Sequence, residues 1–234
     1  MSDADVSSHQ ERVTRLQLSM RVTSLARFAG YGREVPRRPP IDPQGYYHVT
    51  SRGNFGQPLF ETPEQHELYL FLYGRTAVKL GWITLAWTLL WNHHHFLIKL
   101  TDGHLSEGMA VINRCFSRRI NELTGKTGTG HLVKHGFYAG PLDTEAHLLA
   151  TCRYIDLNAV SARPNETLEH WPWSGFRAAI GLEHPRPFHH VSSLLELFGS
   201  TPNTARTAYR RFVEEGHDGS RRVPSPGDGH EPRA

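Results

Sequence analysis

Three consecutive histidines, His93-His94-His95, interrupt an otherwise apolar run from Leu89 to Leu100. The residues before them, Trp82 to Leu90, are rich in β-branched and aromatic types, so the region reads as two strands meeting near Trp91-Asn92. Strand side chains alternate faces. His93 and His95 therefore share one face, about 7 Å apart along the strand, and His94 points the other way. Burying imidazoles in an apolar strand without partners is costly. Such a pair is either packed against polar groups or converges on a divalent cation, and in the second case a third ligand has to come from elsewhere. The histidine triad of nucleotide hydrolases needs histidines at alternate positions, and Leu97 breaks that pattern. A zinc site is a poor match too, because the two cysteines, Cys115 and Cys152, have no paired zinc spacing.

Around this stretch the periodicity alternates between strand and helix. Tyr46 to Arg52 reads as a first strand stopped by Gly53-Asn54. Thr62-Pro63-Glu64-Gln65 reads as a capped helix start, with Leu68, Phe71, Leu72 and Val78 as its buried stripe up to Gly81. Leu105, Met109, Ile112, Phe116, Ile120 and Leu123 mark the core face of a helix from 105 to 123. Arg114, Arg118 and Arg119 fall largely off that stripe, either as a solvated basic face or as phosphate contacts. His135 to Leu142 is a fourth strand, and Asp143 or Thr144 caps a helix from Glu145 to Val160 whose apolar side is Leu148, Cys152, Ile155 and Ala159. Thr151, Tyr154 and Asn158 stack on another side of that helix. The order β-α-β-β-α-β-α predicts an α+β fold with a ferredoxin-like antiparallel sheet. Trp171-Pro172-Trp173-Ser174 packs a turn, and short helices follow at Val191 to Phe198 and Pro202 to Glu215.

The expected organisation is a basic, flexible arm over 1–43, a domain over 44–182, a helical extension over 183–216 and a disordered tail over 217–234. The arm's first 40 residues hold seven arginines against four acidic residues, with a short helix conceivable around Val13 to Phe28. With the chain's net charge of +3, they lean towards an anionic partner. No apolar run approaches the roughly 20 residues of a membrane span. The N-terminus lacks an apolar signal core, and two distant cysteines suit a reducing cytosol. Gly125-Lys126-Thr127 follows a helix instead of joining a strand to one, so it is not a phosphate-binding loop.

A tyrosine and an amide one turn apart, with a histidine pair elsewhere, suggest a chemistry. A phenol titrates near pH 10 and is a weak nucleophile at neutral pH, but a cation that polarises a phosphate makes its attack feasible. Trp91-Asn92-His93-His94-His95 and Tyr154-Ile155-Asp156-Leu157-Asn158-Ala159-Val160 resemble segments of the REP-associated tyrosine transposases, within the single-tyrosine HUH transposases. So do Thr50-Ser51-Arg52-Gly53-Asn54, Thr129-Gly130-His131-Leu132 and Trp171-Pro172-Trp173-Ser174-Gly175-Phe176. The resemblance covers roughly 44–182. It implies that His93, His95 and Asn158 hold Mg²⁺ or Mn²⁺, and that Tyr154 attacks single-stranded DNA at a hairpin to leave a 5′-phosphotyrosine. Arg52, Arg114 and Arg118 are the candidate DNA contacts. The same likeness implies a homodimer, and the expected location is cytoplasmic and nucleoid-associated. Departures from the family pattern are His94 for a hydrophobic residue, Trp91 and Ala159 for prolines, and His135-Gly136 where Gly-Arg is usual. The competing functions are a non-catalytic hairpin binder on the same sheet and a metal-dependent hydrolase that uses water.

Overall fold

Four antiparallel strands form the centre of the molecule, in the order β2-β3-β1-β4. The structure is a computed structural model that describes residues 41–125, 132–134, 136–162 and 167–216. The expected arm up to residue 40, the helix around Val13 to Phe28, Thr129-Gly130-His131, His135 and the tail over 217–234 lie outside the described residues.

Strand β1 spans Tyr46–Arg52, helix α1 Pro63–Lys79, β2 Ile83–Leu90, β3 His93–Lys99, α2 Leu105–Leu123, β4 Tyr138–Pro141 and α3 Glu145–Ala162. The short helices α4 (Phe176–Ala179), α5 (Val191–Leu195) and α6 (Pro202–Glu215) follow. The strand order is that of the ferredoxin-like fold expected from the element order. Helices α1 and α2 cover one face of the sheet, against Tyr47, Val49, Leu89, Phe96 and Ile98. Helix α3 covers the other, against Tyr46, Ala86, Leu90 and Leu97, and the C-terminal helices pack into that second core.

Four local expectations change. The inward face of α1 is His66, Tyr69, Leu70, Tyr73 and Ala77, while Phe71 and Val78 are 58% and 60% exposed. The tyrosines take the interior because their hydroxyls find partners there: Tyr73 Oη lies 2.7 Å from Thr84 Oγ1, and Tyr69 Oη 2.6 Å from His94 Nε2. The start of α1 has no side-chain cap from Thr62; Gln65 Oε1 instead accepts from Glu61 N at 2.7 Å. Strand β4 is shorter than 135–142, and Leu123 at the end of α2 is exposed. The end of α1 follows simple chemistry. Gly81, at φ +63°, donates to Val78 O while Trp82 N donates to Ala77 O, a Schellman closure that needs a residue tolerant of the left-handed region.

Both outer strands of a sheet expose unpaired backbone groups. The outer edge of β2 is covered by the Trp171–Gly175 segment: Leu89 N donates to Trp173 O and Gly175 N to Trp87 O, both at 2.8 Å. His190 N adds a bond to Thr84 O at 2.9 Å. The segment expected to pack a turn thus seals the strand that leads into the histidines.

Candidate active site

The tight turn at Trp91-Asn92 sets the facing of the histidines. Cross-strand pairing matches Arg52 with His93, Ser51 with His94 and Thr50 with His95. Paired residues share a face, so His48, Thr50, Arg52, His93 and His95 all lie on the side covered by α3. His94 lies on the opposite side, 2.6 Å from Tyr69 Oη, in a network that runs on to Asn113 Oδ1 (3.2 Å) and, through Asn113 Nδ2, to Ser51 Oγ (3.3 Å). The 93/95 pair is therefore the one that faces the tyrosine helix, and His94 is a structural residue.

Tyr154 reaches this face from α3, whose start is capped by Thr144 Oγ1 accepting from His147 N at 3.1 Å. The Leu148, Cys152, Ile155 and Ala159 stripe anchors the helix on the sheet as the spacing predicts. That docking turns Tyr154 edge-on to His95, with ring centroids 5.4 Å apart, and to His48 at 5.7 Å. The His93 and His95 rings lie 4.9 Å apart and nearly perpendicular.

The donor chemistry suits a cation. His93 Nδ1 donates to Asn92 Oδ1 at 2.7 Å, which leaves the lone pair on Nε2. His95 Nε2 is buried without a hydrogen-bond partner, as is Thr50 Oγ1 opposite it. Orphaned buried polar atoms on adjacent strands are a cost that a bound ion or phosphate relieves. Burial holds the pKa of His93 down to about 4, with Arg52 adding repulsion, and pushes His95 well below its ordinary value, with His48 and its neighbours adding to the effect. Both rings are thus neutral, the form that ligates. Among the described residues no cluster of three or more His, Cys, Asp or Glu side chains forms a cage.

The remaining expected residues divide. Asn158 sits one turn after Tyr154, and its Nδ2 donates to Tyr154 O at 2.6 Å, which leaves Oδ1 as its possible ligating atom. Arg52 is exposed beside His93, close enough for its charge to lower that histidine's pKa. Arg114 and Arg118 are exposed on α2, across the sheet from Tyr154, and Arg118 Nε pairs with Glu122 at 3.6 Å.

Three features escaped the sequence. His48, 2% exposed, places Nε2 2.8 Å from His95 Nδ1. Its only signal was position i−2 from Thr50 in β1. Asp156, two residues from both Tyr154 and Asn158, is buried and accepts from Tyr209 Oη on α6 at 2.5 Å. Burial pushes its carboxyl up to about 7, partly offset by that bond. Finally, an aromatic cleft of about 380 Å³ opens beside the β2–β3 turn, lined by Phe60, His66, Trp91, Trp171 and Trp173 among others. His66 and Trp173 stack there at 4.3 Å, and Trp91 is 53% exposed.

No family model and no curated protein matches the chain. Among solved structures it is similar to a REP-associated tyrosine transposase bound to a REP hairpin, with a TM-score of 0.53 at 17% identity. The alignment covers 66% of this chain and 90% of that one. At this identity the likeness is one of fold, and it agrees with the four-stranded antiparallel sheet. No helix among the described residues is long and apolar enough to cross a membrane.

Proposed function

We propose that the chain is a single-stranded DNA endonuclease and strand transferase of the tyrosine type, acting at hairpins. The observation that carries this reading is the convergence of Tyr154, His95 and His93 from α3 and β3. The fold shared with a transposase bound to a REP hairpin supports it. Mg²⁺ or Mn²⁺ on His93, His95 and Asn158 would act as a Lewis acid on the scissile phosphate. Tyr154 Oη attacks the phosphorus and loses its proton to solvent. The P–O3′ bond breaks, the departing 3′ oxygen takes up a proton, and the phosphate stays on tyrosine as a 5′ ester. Attack of a 3′-hydroxyl on that ester reverses the chemistry and joins strands without an external energy source. Arg52, beside His93, would meet a backbone phosphate.

A hairpin strand labelled at its 3′ end tests this reading, because the label remains on the fragment joined to protein. With Mn²⁺ the wild type yields a labelled species of protein size on a denaturing gel, and EDTA suppresses it. Binding with no adduct under any metal condition would leave a non-catalytic hairpin binder instead.

Trp91 is exposed in the β2–β3 turn, two residues along the chain from His93, so an unpaired base of the bound strand would stack on it. Trp91→Ala is expected to weaken single-strand binding by about 1–3 kcal/mol, roughly 5- to 150-fold. Duplex binding should be unchanged. Fluorescence anisotropy with hairpins bearing or lacking a single-stranded flank checks it, and equal losses on both substrates refute the stacking role.

A further inference from the structure

His93 and His95 reach their common face by different means. His93 is oriented by its sequence neighbour: Asn92 Oδ1 can only accept, so it draws the proton to His93 Nδ1 and leaves Nε2 bare. His95 has no such neighbour. Its Nδ1 is engaged by His48 Nε2, from the central strand β1, at 2.8 Å. His48 is diagonal to His95 across the β1–β3 pair, since its register partner is Leu97 while His95 pairs with Thr50. The two rings stack at 5.0 Å with 24° between their planes, and their exposures are 2% and 1%.

Two neutral imidazoles joined by one hydrogen bond have two proton arrangements. If His48 Nε2 donates, His95 carries its proton on Nε2 and cannot bind an ion. If His95 Nδ1 donates, its Nε2 lone pair is free and points away from His48. In the first arrangement His95 Nε2 is a stranded donor; in the second that atom is a free ligand and the stranded donor is His48 Nδ1, which is likewise buried without a partner, so it is the bound ion that favours the second.

We propose that His48 is the positioning residue of this centre, accepting a hydrogen bond from His95 Nδ1 so that His95 presents Nε2 to the divalent cation. The inference rests on the metal-dependent reading above and adds a residue to it. His48 also meets the edge of the Tyr154 ring at 5.7 Å, so one buried side chain borders both the ligand and the nucleophile. Gln at this position places an acceptor oxygen near the place of Nε2; Ala does not.

The test is Mn²⁺ binding to the full chain without DNA, followed by electron paramagnetic resonance. His48→Ala is expected to weaken Mn²⁺ binding about 10- to 100-fold, and His48→Gln to recover most of that loss. In Mg²⁺-saturated wild type, nitrogen NMR should show His95 protonated on Nδ1 with a coupling across the bond to His48 Nε2. That measurement needs no variant to fold. If His48→Ala binds Mn²⁺ as tightly as wild type, or if Mg²⁺-loaded His95 carries its proton on Nε2, the positioning role is wrong while the metal reading stands. If wild type binds no Mn²⁺ at all, the metal reading fails and this inference goes with it.

Discussion

Tyr154→Phe should bind hairpin DNA within a few-fold of wild type and form no covalent adduct with it. The substitution removes one oxygen and keeps the ring, so the edge contacts to His48 and His95 and the docking of α3 survive. What it deletes is the atom that forms the bond to phosphorus. Loss of a nucleophile costs on the order of a thousandfold or more in rate, because no neighbouring group replaces it. Seven other tyrosines are present, but Tyr69, Tyr73 and Tyr209 are buried with hydroxyls already bonded to His94, Thr84 and Asp156. His93→Ala, which keeps the hydroxyl and removes a ligand, should also lose the adduct. Continued cleavage by Tyr154→Phe, with His93→Ala inactive, would mean that water is the nucleophile. An adduct that persists in Tyr154→Phe would place the attacking residue elsewhere.

The second large effect is on stability in acid. His48, His93 and His189 are held down to about 4 and His94 to about 3 by burial, and His95 lies well below its ordinary value. An unfolded histidine titrates near 6.5. Between about pH 6.5 and 4 the unfolded chain therefore binds more protons than the folded one, and stability falls as pH falls. Asp156 works in the opposite sense. Its folded value of about 7 lies above the 3.8 of a free carboxyl, so it favours the folded state as pH drops from about 7 to 4. Near pH 5 unfolding thus takes up a proton at each of the four histidines held down to about 4 or 3, with His95 acting in the same direction, and releases one from Asp156, a net uptake of about three or more. At about 1.4 kcal/mol per proton per pH unit, the slope near pH 5 is on the order of 4 kcal/mol per unit, a large fraction of an ordinary domain's stability. Urea midpoints in EDTA at pH 7.5, 6 and 5 should fall steeply. Asp156→Asn keeps an acceptor for Tyr209 and removes the opposing group, so its midpoint should drop more steeply still. Midpoints that hold constant from pH 7.5 to 5 would refute the buried, neutral state of the cluster.

Much of the framework could be read along the chain. The bounds of α2, the whole of β1 and the β2–β3 turn follow from periods of 3.6 and 2 and from turn residues, which are local properties. The facing of His93 and His95 against His94 is also local, since it depends only on strand alternation. The buried face of α1 departs from the hydrophobic pattern, which favours Phe71 and Val78, because the interior supplies hydrogen-bond partners for Tyr69 and Tyr73. Exposed Arg114 and Arg118 satisfied the composition of a nucleic-acid surface, yet they sit across the sheet from Tyr154.

The sequence by itself determined which side chains could share a face within one element: the histidine pair on β3, the tyrosine and amide on α3, and the apolar stripe that docks that helix. Only the tertiary structure decided which faces meet. Strand order and register brought His48 to His95, and the packing of α3 brought Tyr154 to both. The physical reason is that alternation and helical period are set by backbone geometry at each residue. Register and docking are set by the burial of surfaces from segments far apart in the chain, which no local spacing encodes.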